Sequence, residues 1–275
     1  VENWKIFATG GGSVKYEASF FKELGAKLEK SDEMETIVSG VQCLIENVHE
    51  ECFTWMPTQE ADERSNIPLT PSQREKIYKE VSPKDYVKRP VNMEDARKPW
   101  LIVNCGSGVS MLKLDEQQTV EFGRVSTYKR VGGTPLGGGT FLALGCLLTG
   151  VSSHQELLEL AEKGNAKAID KLVGDIYGDD YKGLGLSADT VAACFGKLVN
   201  PDLREAVKKE DLAASLIQMI SWNIAHVARL VATQEGIKTI IFTGSFMHAN
   251  AVSQKAFAHA FRYWSSGDSR ALFMK

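Results

Sequence analysis

Residues 100–150 constrain the fold more than any other part of the chain. An apolar run over 100–103 meets the turn Asn104-Cys105-Gly106-Ser107-Gly108, and a second apolar run over 109–114 follows at once. That pattern predicts a β-hairpin closed by a glycine turn. A second glycine cluster over 132–139 opens onto TFLALGCLL, which predicts a buried helix starting at the glycines. Glycine serves where backbone must approach a ligand closely, and a helix N-terminus attracts anions. Two such turns in one β-rich unit point to a phosphate.

The flanking chain supports an α/β class. A strand over 4–8 runs into Gly10-Gly11-Gly12, and the spacing of Val14, Phe21, Leu24 and Leu28 predicts a helix beyond it. Ser31 is expected to cap a helix over about 32–49, with Asp32, Glu33 and Glu35 in its first turn. For Asp32 and Glu35, complementing the helix dipole is the plain reading. Residues 57–98 are charged and broken by prolines, which predicts a polar surface excursion with a short helix at 71–81. Strands are expected near 100–104, 108–114 and 118–124, with another over 126–131. Helices are expected over 153–163 and 168–176, the latter closed by Tyr177-Gly178, and 184–197 reads as an irregular connection. The longest element is a helix over about 210–234, striped by Leu212, Leu216, Met219, Ile220, Ile224, Val227, Leu230 and Val231. IKTIIFT predicts a strand ending at Gly244, followed by a helix over 252–264 and a strand at 271–273. Late alternation of strand and helix after a mid-chain meander is an α/β arrangement.

Several function classes are disfavoured. A net charge of −3 offers no footprint for nucleic acid or an anionic membrane surface. Five scattered cysteines without a CxxC pair read as reduced thiols in an intracellular protein. No apolar run is long enough to cross a membrane, and the first residues are not a signal peptide. The five histidines lack metal-ligand spacing, and His226 on the long helix reads as a packed core residue. GxSxG, Walker A and Rossmann patterns are missing. The chain begins at Val1 rather than methionine and reads as a fragment of something longer.

A glycine turn in a hairpin, a second at a helix N-terminus and a later strand ending in glycine are three parts of an actin-like ATP site. NCGSGVSMLKL, YKRVGGTPLGGGTFLALGCLLTG, DKLVGDIYGDDYKGLGL and IIFTGSF resemble the eukaryotic (type II) pantothenate kinases, and the likeness runs from FATGGGSVKY at 7–16 to RYWSSGDSRALF at 262–273. The resemblance implies the two-lobed fold of the acetate and sugar kinases, Hsp70 and actin. Residues 1–275 would form a partial catalytic core with the insertion at about 57–98. It implies transfer of the ATP γ-phosphate to pantothenate, the committed step of coenzyme A synthesis, in a cytoplasmic homodimer inhibited by acetyl-CoA. Mitochondrial and nuclear forms stay open.

By the same resemblance Glu33 is the base, and Ser107, Ser110 and Arg130, with Tyr177 and Thr190, face substrate or acetyl-CoA. Gly10, Gly11, Gly12, Gly106, Gly108, Gly137, Gly138, Gly139 and Gly244 would supply nucleotide-side backbone. The family's first phosphate loop, with the aspartate that organises Mg2+, is expected before Val1, and its final helix after Phe273. Two alternatives stand beside the kinase: a non-catalytic regulatory paralogue that binds CoA esters or pairs with an active subunit, and an actin-like kinase with another acceptor.

Overall fold

The computed structural model describes residues 5–58, 85–93, 98–115, 118–120, 123–125, 127–248, 250–265 and 269–275. The chain opens with β1 (Lys5–Thr9), α1 (Gly10–Lys15), α2 (Glu17–Leu24), β2 (Lys27–Ser31) and α3 (Glu33–Asn47). Then come β3 (Cys52–Pro57), β4 (Tyr86–Pro90), β5 (Trp100–Cys105), β6 (Val109–Leu114), β7 (Gln118–Val120), β8 (Gly123–Val125) and β9 (Tyr128–Thr134). Helices α4 (Gly138–Thr149) and α5 (His154–Lys163) precede a small unit of β10 (Lys171–Leu172), α6 (Val173–Tyr177) and β11 (Val191–Ala193). After α7 (Pro201–Glu205) the chain ends with α8 (Lys209–Gln234), β12 (Thr239–Thr243), α9 (Ala251–Ser265) and β13 (Arg270–Met274).

Among the described residues the main sheet has seven strands in the order β4-β3-β13-β12-β5-β6-β9. β5, β6 and β9 are successive antiparallel neighbours, whereas β12 lies parallel to β5 and β13 parallel to β12. Short connections serve the antiparallel side, and helices carry the crossovers on the parallel side, as strand polarity demands. This is an α/β fold, with the three glycine elements gathered at one end of the central strands.

Pleat alternation divides the core into two faces. Leu101, Val103, Cys105, Val109 and Met111 face α4, α5, α8 and α9. Trp100, Ile102, Leu112, Leu114, Ile241 and Leu272 face α3, which contributes Val38 and Val41. Burial on both sides explains why WLIV and TIIF are uninterrupted apolar runs.

Several expected elements shift. The helix read across 13–28 stops at Gly25, whose φ of 65° ends α2, and 27–31 pairs in parallel with β1. Ser31 therefore ends a strand, and Asp32 caps α3, its carboxylate accepting from the Glu35 amide at 2.9 Å. The excursion at 57–98 is not purely a surface element: β4 within it pairs with β3, and Tyr86 is buried. The helix expected at 71–81 lies outside the described residues. The strand expected at 118–124 becomes the β7–β8 hairpin, separate from the main sheet, and β9 takes its place. α4 is only half buried: Phe141, Gly145 and Thr149 face inward on a four-residue repeat, while Leu147 is 80% exposed. The apolar stripe of α8 is used inside the chain, although Leu230 is exposed, and His226 also lies outward with its ring edge-on to Trp264. All five cysteines are free thiols.

Candidate functional site

Three glycine segments distant in sequence meet at one point. The β5–β6 turn, the start of α4 and the segment after β12 are joined by short hydrogen bonds. The Gly138 amide donates to the Gly106 carbonyl at 2.8 Å, the Gly139 amide to the Ser107 carbonyl at 3.0 Å, and the Phe246 amide to the Cys105 carbonyl at 2.9 Å. No side chain fits between them. A Cβ on Gly137 would lie 2.6 Å from the Ser107 carbonyl oxygen, and one on Gly244 (φ 100°) would lie 2.5 Å from that of Cys105. The glycines at the start of α4 thus permit backbone-to-backbone packing, and the Gly138 and Gly139 amides are already paired within the protein. Among the described residues, the Ser107 amide and hydroxyl have no protein partner.

The wall beside this cluster is β9. Its register slips between Met111 and Leu112, so Val131 is an extra residue on the strand. Tyr128 and Arg130, two residues apart and opposite Leu114 and Leu112, share the face covered by α3. Past the bulge, Gly133 stands opposite Ser110. A Cβ on Gly133 would lie 2.6 Å from an Arg130 guanidinium nitrogen, so the arginine lies across the glycine toward Ser110. Arg130 is exposed and has no carboxylate partner among the described residues. A planar fork without a counter-ion is suited to an anion.

Glu33 enters from the other side. β1 and β2 run parallel, Thr9 is opposite Ser31, and the Thr9 hydroxyl donates to the Ser31 carbonyl at 3.0 Å. The chain then turns directly into α3, whose first residue is Glu33. Gly10 (φ 75°) lies beneath it, since a Cβ there would stand 3.4 Å from Glu33 Oε2. Gly10 therefore belongs with Glu33, whereas nothing lies within 4 Å of a Cβ on Gly11. The α3 start is tied to β9 by the Tyr128 hydroxyl, which donates to Asp32 Oδ1 at 3.2 Å. The Glu35 amide holds the Asp32 carboxyl below its ordinary range, and the Tyr128 hydroxyl adds to this. Desolvation and the neighbouring Asp32 raise the Tyr128 phenol.

Tyr177 and Thr190 lie elsewhere, in the small β10–β11 unit. Tyr177 is exposed and stacks on Tyr181 with ring centroids 4.4 Å apart, and the Thr190 carbonyl accepts from the Val173 amide at 2.8 Å. Among the described residues, no hydrogen bond or ring contact joins them to the glycine cluster. The unit is anchored by Asp170, a fully buried carboxylate that accepts from the Ser215 hydroxyl on α8 and from the Phe195 amide at 2.7 Å. Burial raises its pKa despite these bonds.

Sequence reading missed Asp170 and Tyr128, although each opens a motif quoted above, because their roles depend on partners distant in sequence, Ser215 and Asp32. It also missed Phe246 and His154. Phe246 packs against Gly138 and contacts the rings of Phe141 and His154. Burial lowers the His154 pKa. Among the described residues no group of three His, Cys, Asp or Glu side chains could hold a metal ion.

The Fumble family model matches residues 1–275. Pantothenate kinase 2 of Oryza sativa subsp. japonica is 38% identical over 276 residues, covering 100% of this chain and 27% of the relative. A 4'-phosphopantetheine phosphatase of Mus musculus is 33% identical over 270 residues, covering 98% of this chain and 29% of the relative. Among solved structures, a glucokinase from Balamuthia mandrillaris aligns with a TM-score of 0.37 at 11% identity, covering 90% of this chain and 62% of the other. The chain thus spans about a quarter of the length of the two curated relatives.

Proposed function

Because the chain belongs to the Fumble family, that of the pantothenate kinases, we propose that the full protein transfers the γ-phosphoryl group of ATP to the primary hydroxyl of pantothenate. The observation that carries this reading is the convergence on one face. Glu33 at the head of α3 and Ser110 and Arg130 on the strands share the α3 side of the sheet, and Ser110 stands close to the turn that holds Ser107. The glycine cluster would border the nucleotide, with the unpaired Ser107 amide as a donor to phosphate oxygen. Glu33 accepts the hydroxyl proton as that oxygen attacks the γ-phosphorus, and ADP leaves with the bridging oxygen. Arg130 binds anionic charge on the substrate and holds it in line. Phosphoryl transfer depends mainly on such positioning and charge neutralisation. Mg2+ bound to ATP, organised by a carboxylate beyond the described residues, completes the reading. So do a cytoplasmic homodimer and inhibition by acetyl-CoA competing at Ser107, Ser110 and Arg130.

A second reading is a non-catalytic paralogue that binds CoA esters. The mouse relative matched over 98% of this chain is named a phosphatase rather than a kinase, so likeness to the family does not by itself fix kinase activity. Full-length protein incubated with ATP, Mg2+ and pantothenate, and separately with hexoses or glycerol, separates the readings by mass spectrometry. Phosphopantothenate is the expected product. Sugar phosphate, or no product with acetyl-CoA binding retained, would overturn the kinase assignment.

A further inference from the structure

The bond between Tyr128 and Asp32 joins the two halves of the site, and its placement gives it a role that packing alone does not require. Glu33 follows two elements, β1 and β2, that form their own two-stranded sheet apart from the seven-stranded one. Ser110 and Arg130 belong to the seven-stranded sheet. The position of the carboxylate relative to the arginine therefore depends on how the start of α3 is fixed to β9. Downstream, Val38 and Val41 bury the middle of α3 against the sheet. At its start Met34 packs against the same cluster while Asp32, Glu33 and Glu35 are exposed, and the Tyr128 hydroxyl supplies a directed contact to the capping side chain. Arg130 stands two residues further along the same strand face, roughly 7 Å away. Asp32 already accepts from the Glu35 amide, so one carboxylate both closes the first turn of α3 and attaches it to the strand.

We propose that Tyr128 is a positioning residue, holding Glu33 at a fixed distance from Arg130 through the Asp32 cap. This rests on the reading of Glu33 as base. Tyr128→Phe removes the hydroxyl and keeps the ring that packs beside Leu114. A misplacement of about 1 Å at a reacting group is enough to slow a positioned reaction by about two orders of magnitude. A loosened helix start samples the correct position part of the time, so a smaller loss is expected.

The test is a double-mutant cycle in the full-length protein with Tyr128→Phe, Glu33→Asp and the double variant. The shorter carboxylate of Glu33→Asp no longer reaches the substrate in register and leaves a measurable rate. The proposal expects Tyr128→Phe to lower kcat about tenfold, with the pantothenate KM within about twofold and a melting temperature close to wild type. In the Glu33→Asp background the same substitution should cost no more than about twofold. An unchanged kcat in Tyr128→Phe overturns the proposal, as does a tenfold loss repeated in full in the Glu33→Asp background. A lowered melting temperature at unchanged kcat also overturns it, assigning the bond to stability alone. If Glu33→Gln turns over at the wild-type rate, the base reading on which this proposal rests fails, whatever Tyr128→Phe shows.

Discussion

Gly137→Ala tests the convergence of the three glycine segments. Gly137 has φ −140° and ψ −158°, extended values that alanine adopts freely, so any penalty is steric. The added methyl carbon would stand 2.6 Å from the Ser107 carbonyl oxygen, 2.8 Å from Gly108 Cα and 2.9 Å from Gly108 C. All three are backbone atoms that cannot swing aside. Relief requires the α4 start to retreat from the turn by roughly 1 Å, and forcing packed groups apart costs about 1–3 kcal/mol. That retreat also breaks the Gly138–Gly106 and Gly139–Ser107 bonds, each worth about 1 kcal/mol. The total is about 3–5 kcal/mol, which for a chain of this size lowers Tm by roughly 6–20 °C. Thermal unfolding followed by circular dichroism measures it, with Gly11→Ala as the matched control. That position lies in α1 with nothing within 4 Å of a Cβ, so the change should be neutral or stabilising by up to ~1 kcal/mol. A Gly137→Ala melting temperature within about 2 °C of wild type would refute the packing described.

Three further outcomes are expected. Arg130→Ala should raise both the pantothenate KM and the acetyl-CoA concentration for half-inhibition by about tenfold or more, the effect of one charge-assisted hydrogen bond. Initial-rate kinetics check this, and unchanged values would remove Arg130 from the site. Asp170→Ala leaves the Ser215 hydroxyl and Phe195 amide without their acceptor, at about 2–4 kcal/mol. Limited proteolysis should then cut within 169–199 sooner than in wild type. Burial lowers the His259 pKa from 6.5 to about 4. A depressed histidine favours the neutral form on folding, so its contribution is complete above the unfolded pKa and is lost as pH falls from about 6.5 toward 4. His154 is lowered in the same direction. Stability should drop by about 1–2 kcal/mol between pH 7 and pH 5 on account of His259. Denaturant titrations of wild type and His259→Gln at both values test this, and equal pH dependence in the two would contradict it.

How far the sequence disclosed the fold depended on whether local pattern and tertiary context agreed. Residues 100–114 and 239–243 alternate between two buried faces, so an apolar run with a glycine end is read correctly from composition alone. Residues 27–31 carry a helix-like continuation of the preceding spacing. Only pairing with β1, a contact 22 residues away, makes them a strand. The same holds for β4, whose charged and proline-bearing edge resembles a loop until its partner β3 is known. At the site, glycines were legible as close approaches, but not which backbone they approach. The Gly138 and Gly139 amides meet the hairpin carbonyls, a contact no local pattern encodes. Glu33 and Arg130 entered through a resemblance spanning many motifs. Their shared face follows from the bulge at Val131 and the Tyr128–Asp32 bond, both of which require the assembled sheet.

The most direct test of a pantothenate kinase using Glu33 as base is the rate of phosphopantothenate formation by full-length wild type and by Glu33→Gln, at saturating ATP and pantothenate. The amide matches the carboxylate in shape and cannot take the proton, and general-base assistance contributes about 10²–10⁴-fold. A kcat reduced at least 100-fold, with the ATP KM little changed, is expected. Turnover within about threefold of wild type would contradict that role.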